Sequence, residues 1–220
     1  MSRSVVVDAA GENRDEAVAR VAQALQSGEL VVLPTDTVYG VAADAFQKAA
    51  TRRIFAVKRR SRRFPLPVLV RSPKQLPGIV SELTEEAERL VAAYWPGPLT
   101  LVIPVAAELS WDIGDNEGTV AVRMPLDDVT LEVIRAVGPL AVTSANRSGE
   151  PPAKTAATAR AALGDDVAVY LDDGPRREQR PSTIVDLTRG EPLLIRDGDI
   201  PPDEVLAIAR GELDPTDVSG

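Results

Sequence analysis

The chain has 220 residues, of which 44% are hydrophobic and 26% charged, with a formal net charge of −8 and neither His nor Cys. That composition excludes an imidazole base, a Ser-His-Asp triad, a disulfide framework and a His- or Cys-ligated zinc, and leaves oxygen-bound hard cations as the accessible metals. The acidity argues against wholesale nucleic-acid binding, no apolar run nears the ~20 residues of a membrane span, and the early acidic turn of the N-terminus argues against a signal peptide, so a reducing cytosol is the expected compartment.

Residues 13–27 carry Val18, Val21, Ala22 and Leu25 at helical spacing, with Gly28 as a stop. Residues 30–33 form an apolar run closed by Pro34, and 38–43 read as a second strand. The spacing predicts a helix over 48–58, with Ile54, Phe55 and Val57 inward, then a basic loop and a strand over 66–70. Thr84 is placed to cap a helix over 84–95, which Pro96-Gly97-Pro98 breaks. Strands follow at 99–105 and 119–123, then a helix capped by Asp127 and ended by Gly138, and a strand over 139–143. A helix fits 156–163, strands fit 167–171, 183–187 and 193–196, and a last helix fits 202–210. Strands and helices interleave without strict βαβ alternation. The expected fold is therefore α/β of the mixed kind, a twisted mixed sheet with flanking helices. One domain is expected over residues 1–213, with a disordered tail over 214–220.

Several segments have the residue types for ligand chemistry. Thr35, Asp36 and Thr37 crowd a tight connection after a buried strand, where they can either bind a small polar ligand or satisfy an Asx-type turn. Lys58, Arg59, Arg60, Arg62 and Arg63 repel one another and suit a phosphate, or else solvate the end of a helix. Residues 143–149, Thr-Ser-Ala-Asn-Arg-Ser-Gly, leave a strand end where small side chains let backbone N–H groups approach a phosphate; a plain polar turn has the same look. Arg123 and Arg196 each end an apolar strand and can clamp an anion or pair with a nearby Asp, and Ser182 and Thr183 open a strand in a similar position. Neither the P-loop nor the G-x-G-x-x-G pattern occurs.

Taken in order, PTDTVYG at 34–40, Lys58-x-Arg60 with Pro65-Leu66 after it, WPGPLT at 95–100, VRMP at 122–125, SANRSG at 144–149 and STIVD at 182–186 resemble the YrdC family of threonylcarbamoyl-AMP synthases. The resemblance implies a deep, positively lined cavity. It also implies a reaction in which the threonine amine and bicarbonate give a carbamate that attacks the α-phosphate of ATP and releases pyrophosphate, toward threonylcarbamoyladenosine in tRNA. By position, Thr37, Arg123 and Ser182 would contact L-threonine. Lys58 and Arg60 would be the catalytic pair on the phosphate and bicarbonate side, with Arg62 as a helper. Thr119, Thr143, Ala145 and Arg196 would contact ATP, and Ser144 and Asn146 would lie against the nucleotide and its Mg2+, with no metal site made by the protein alone. The implied partners are L-threonine, bicarbonate and ATP, a transient handover to a tRNA threonylcarbamoyl-transfer complex, and at most a weak contact with tRNA; no membrane is involved.

The chain departs from the family pattern at Ser61, where Pro is common, at Phe64, where Lys or Asn is common, and at Leu69, where His is frequent. A more apolar cavity follows, with Arg62 or Arg63 standing in for the missing cation. Three other readings fit part of the pattern: a non-catalytic RNA-binding homologue, opposed by the acidity and by an aromatic content of only 4%; a related carbamoyl-transfer domain of the hydrogenase-maturation type, opposed by the absence of Cys; and an inactive member of the same fold.

Overall fold

The computed structural model describes residues 4–10, 13–176 and 180–218. The strands are β1 (Val5–Asp8), β2 (Val31–Leu33), β3 (Gly40–Asp44), β4 (Val68–Leu69), β5 (Leu99–Pro104), β6 (Thr119–Arg123), β7 (Leu140–Ser144), β8 (Val169–Asp172), β9 (Thr183–Asp186) and β10 (Leu193–Arg196). The helices are α1 (Arg14–Gln26), α2 (Lys48–Lys58), α3 (Glu85–Tyr94), α4 (Asp128–Val137), α5 (Ala156–Leu163) and α6 (Pro202–Arg210). All ten strands join one sheet in the order β1-β8-β2-β3-β7-β4-β6-β5-β9-β10. Parallel pairs (β1–β8, β2–β8, β4–β6, β5–β9) are interspersed with antiparallel ones, so the sheet is mixed, as the element pattern predicts.

Three of the helices begin at side-chain caps that the sequence supplies. The Thr84 hydroxyl accepts the Ala87 N–H at the start of α3, and the Asp127 carboxylate accepts the Thr130 N–H at 2.9 Å at the start of α4. Thr155 and Thr158 form a reciprocal capping box on α5. At the end of α2, Arg59 takes the left-handed conformation, φ 52°, which turns the basic loop sharply away from the helix axis.

Alternation along the strands sorts side chains into two apolar layers. Val32, Val41, Val68, Val122, Leu99, Leu101 and Tyr170 join residues of α2, α3, α5 and α6 in one cluster. Val31, Leu33, Ala42, Leu69, Leu140 and Leu171 join residues of α1 and α4 in the other. Each fully buried Leu or Ile contributes about 1.5–3 kcal/mol. The second cluster contains no residue of β5, β6, β9 or β10. On that side Val102, Thr119, Ala121 and Ile184 are only half-buried, leaving an open sheet face beside Arg123.

Some expectations need correction. β1 is not foreseen: four residues with an alternating pattern pair with β8 across more than 150 positions of sequence. The strand expected over 38–43 starts at Gly40, because the Tyr39 N–H is taken by the Ala153 carbonyl rather than by a ladder. The strand over 66–70 contracts to Val68–Leu69, and Pro73–Gly78 forms a 3-10 turn that the sequence reading leaves as loop. Among the described residues no helix is long and apolar enough to cross a membrane.

Candidate active site

The loop over 34–39 leaves buried β2 and returns as β3. Thr35 organises it: its hydroxyl donates to the Val38 carbonyl at 2.6 Å and accepts the N–H groups of Thr37 and Val38. That is the turn chemistry read from the sequence. It leaves Asp36 and Thr37 facing Arg123, which ends β6. Arg123 donates Nε to the Gly97 carbonyl at 2.9 Å and Nη1 to the Thr37 hydroxyl at 3.2 Å, and Nη2 bonds the Asp36 carboxylate. Both members of this ion pair are nearly excluded from water, with side-chain exposures of 8% and 11%. Of the alternatives left open for Arg123, the structure shows the ion pair, with Asp36, on a residue that borders the open face.

Ser182, just before β9, is buried, and its hydroxyl meets that of Thr100 at 2.9 Å. Arg196, at the end of β10, grips the same residue, donating Nε to the Ser182 carbonyl at 2.9 Å and Nη2 to its hydroxyl at 2.8 Å. Gly198 makes this possible: a Cβ there would stand 2.2 Å from the Thr183 nitrogen and 2.4 Å from the Pro181 oxygen. Partial loss of water, then the nearby Arg123 charge, lowers the Arg196 pKa. The two arginines that end separate strands therefore converge.

A second group lies where α2 meets the loop after β7. Gly40 pairs with Ser144 and Val41 with Thr143, and the Ala145 N–H donates to the Tyr39 carbonyl at 2.8 Å. The 34–40 and 144–149 segments are thus direct neighbours. Lys58, 1% exposed, donates its ammonium to the Ser144 carbonyl, to the Asn146 carbonyl at 2.6 Å and to the Asn146 amide oxygen at 3.2 Å. Burial, followed by repulsion from Arg60, pushes Lys58 down to about 8. Arg60 donates to the Phe64 and Pro65 carbonyls at 2.8 and 3.3 Å, and burial lowers its pKa.

Several sequence-selected residues sit differently from their expected positions. Arg62 does not reach the group around Lys58. It bonds Asp112 and lies with its guanidinium 5.1 Å from the centre of the Phe55 ring, anchoring the basic loop to the 112–115 loop. The Thr119 hydroxyl closes a local turn on the Asn116 carbonyl at 2.8 Å. Four residues before Arg123 on the same strand face, it lies about 13 Å away along β6. The Ala145 N–H is already occupied, so only the carbonyl of that residue remains for a ligand. Phe64 is 64% exposed, whereas Leu69 is buried beside Arg123 in the β4–β6 register. Gly97 and Thr100 lie inside the quoted motifs without a role in the sequence reading, and Asp36 is read there as a ligand or turn residue and not as the partner of Arg123, because the partners of all three are far away in sequence.

An apolar cavity of ≈ 320 Å³ adjoins the 144–149 turn, lined by Ala145, Pro151, Pro152, Ala153, Lys154, Thr158 and Ala162. Another, of ≈ 600 Å³, lies between α1, α4 and the 3-10 turn and includes none of the sequence-selected residues.

The Sua5–YciO–YrdC family model, described as telomere recombination, matches residues 23–198. The chain belongs to the Sua5–YciO–YrdC family. It is 46% identical over 197 residues to a protein of Mycobacterium tuberculosis (strain ATCC 25618 / H37Rv), covering 90% of this chain and 91% of that one. It is 38% identical over 182 residues to the threonylcarbamoyl-AMP synthase of Pyrococcus abyssi (strain GE5 / Orsay), covering 82% of this chain and 54% of that one. The crystal structure of P. abyssi Sua5 complexed with L-threonine superposes with a TM-score of 0.85 at 36% identity, over 93% of this chain and 60% of that one. The chain therefore spans little more than half the length of this archaeal relative. The mixed sheet is the Sua5–YciO–YrdC architecture, and the open face beside Arg123 lies within the matched residues.

Proposed function

We propose that this chain is a threonylcarbamoyl-AMP synthase, joining L-threonine, bicarbonate and ATP for threonylcarbamoyladenosine formation in tRNA. One observation carries the reading. Lys58, Arg60 and Arg196 have no carboxylate at ion-pairing distance among the described residues; Arg196 lies near enough to Arg123 to feel its charge, and the turn that Lys58 holds is hydrogen-bonded, through Ala145 and Tyr39, to the segment that presents Asp36 and Thr37 to Arg123. Such uncompensated cations are costly until an anion arrives. The relatives named for this reaction, and the P. abyssi Sua5 complex with L-threonine, support the choice of substrates.

The amine of threonine adds to bicarbonate with loss of water, giving a carbamate. A carbamate oxygen bonds to the α-phosphorus of ATP, and the bond to the bridging oxygen breaks with pyrophosphate as leaving group. No enzyme nucleophile is consumed, so a chain without Cys or His can perform the reaction by positioning and charge stabilisation. Arg123 would receive the threonine carboxylate, with Thr37 and Ser182 reading the polar groups of the substrate. Arg60 and Arg196 would face phosphates. Lys58 would act through the 144–146 turn it holds, next to the apolar cavity that suits a planar base. Mg2+ would neutralise phosphate charge. The ion would be carried in by ATP, with Ser144 supplying a hydroxyl.

The test is pyrophosphate release from ATP and Mg2+, with and without L-threonine and bicarbonate, using serine as control. Release that requires both is expected; release indifferent to threonine in folded protein would remove the assignment.

A further inference from the structure

The 34–39 segment needs support, because Asp36 and Thr37 hold Arg123 from a loop. Both of its ends lead to one side chain. At the near end, the Pro34 carbonyl accepts the Thr130 hydroxyl, and Thr130 sits in the first turn of α4, capped by Asp127. Asp127 in turn receives Arg176 Nη1 at 3.1 Å. At the far end, the Tyr39 hydroxyl donates to the Gly174 carbonyl at 2.7 Å and accepts the Asp173 N–H at 3.1 Å. The Arg176 guanidinium lies 5.5 Å from the centre of the Tyr39 ring and bonds the Asp173 carboxylate at 2.6 Å. Its side chain is only 14% exposed. A planar fork with several donors can serve these partners together, which an ammonium cannot.

We propose that Arg176 is a positioning residue for the threonine side of the site, clamping both ends of the segment that presents Asp36 and Thr37 to Arg123. The inference rests on the functional reading above. Arg176 touches no reacting group. Its effect travels through Asp127, Thr130 and Pro34 on one side and Tyr39 on the other, as supporting contacts hold binding side chains in productive geometry.

Two measurements on Arg176→Ala and Arg176→Lys test it. Amide exchange at Thr37, Val38 and Tyr39 should accelerate about ten-fold in Arg176→Ala, and the threonine KM should rise about ten-fold while the ATP KM stays within about two-fold. Arg176→Lys should recover part of both, because it keeps a charge for Asp127. If Arg176→Ala does not fold, Asp127→Asn removes the same ion pair while an Asn can still cap α4, and should give the same pattern. Unchanged exchange at these amides overturns the proposal whatever the activity, as does an equal rise in both KM values. If the unaltered protein shows no threonine-dependent pyrophosphate release, the functional reading falls, and the exchange result still decides the positioning role.

Discussion

The Lys58 ammonium meets the Asn146 carbonyl at 2.6 Å and the Asn146 amide oxygen at 3.2 Å, and its bond to the Ser144 carbonyl uses the last of its three donors. A residue that reads in the sequence as a phosphate ligand is, in the fold, the brace of the 144–146 turn. Asn146 completes the brace by donating its amide to the Glu150 carbonyl at 2.6 Å and the Arg147 carbonyl at 3.0 Å. Lys58→Met leaves these buried acceptors short of donors, at about 1–3 kcal/mol for each group that stays unsatisfied. The expected result is a lower urea midpoint together with a raised ATP KM, whereas a pure phosphate ligand would move the KM alone.

Lys58 also sets a pH dependence. Its folded-state pKa is lowered to about 8 from the ordinary 10.5. Between those values the unfolded chain holds a proton that the native chain does not, so stability attributable to this group rises with pH across that window and is lowest below about 8. Nucleotide binding has the opposite sign, because a phosphate prefers the charged form, and affinity should fall as pH rises through about 8. Calorimetric ATP titrations from pH 7 to pH 9, with Lys58→Met as the reference, check this. A slope that survives the substitution would assign the titration elsewhere.

Asp36 is the partner of Arg123, so each substitution has a distinct signature. Asp36→Asn leaves a buried guanidinium without its counter-charge, and breaking such a pair costs about 3–5 kcal/mol. Arg123→Ala strands Asp36 instead and, on the proposed function, removes the group that would receive the threonine carboxylate. Both should lower the melting temperature. Arg123→Ala should raise the threonine KM strongly and the ATP KM much less, and steady-state kinetics with each substrate varied in turn separates the two.

Gly198 sits against the backbone of residues 181–183, with three atoms between 2.2 and 2.4 Å of a would-be Cβ. Neither that backbone nor β10 can yield without moving Ser182 away from Arg196. Gly198→Ala should cost about 1–3 kcal/mol in a urea melt and weaken ATP and threonine binding together. An unchanged melt would show that the packing of the segment after β10 on residues 181–183 is softer than these distances imply.

Phe64→Lys restores a cation common in the family at an exposed position. Stability should stay within about 0.5 kcal/mol. A lower ATP KM would show that the loop faces the phosphates, and an unaltered KM would place position 64 outside their reach.

Local patterns carried the elements well. The boundaries of α2, α5, α6, β6 and β10 coincide with the sequence reading, because caps, Gly and Pro mark them and the apolar period is clear. β1 escaped because Val5–Asp8 owes its strand state to β8, far along the chain. The ordered motifs singled out Thr37 and Arg123, and Ser182 and Arg196, which the fold brings into contact as pairs. The pairing of Arg62 was not legible, because charge alone does not say which cation is neutralised and Asp112 is not a sequence neighbour. Arg176 gave no signal at all, being one of three arginines in the mixed-charge stretch 172–180, DDGPRREQR.

The sequence by itself determined which chemistry is open to this protein: no thiolate, no imidazole, a surplus of Arg and hydroxyl groups near strand ends, and the family that combines them. Only the tertiary structure decided the electrostatic state of each cation. Asp36 pairs with Arg123 and Asp112 with Arg62, while among the described residues Lys58, Arg60 and Arg196 donate their hydrogen bonds to carbonyl, amide and hydroxyl oxygens. The physical reason is that a Coulomb interaction depends on distance and local dielectric, and both are set by residues that the sheet order brings together from positions dozens of residues apart.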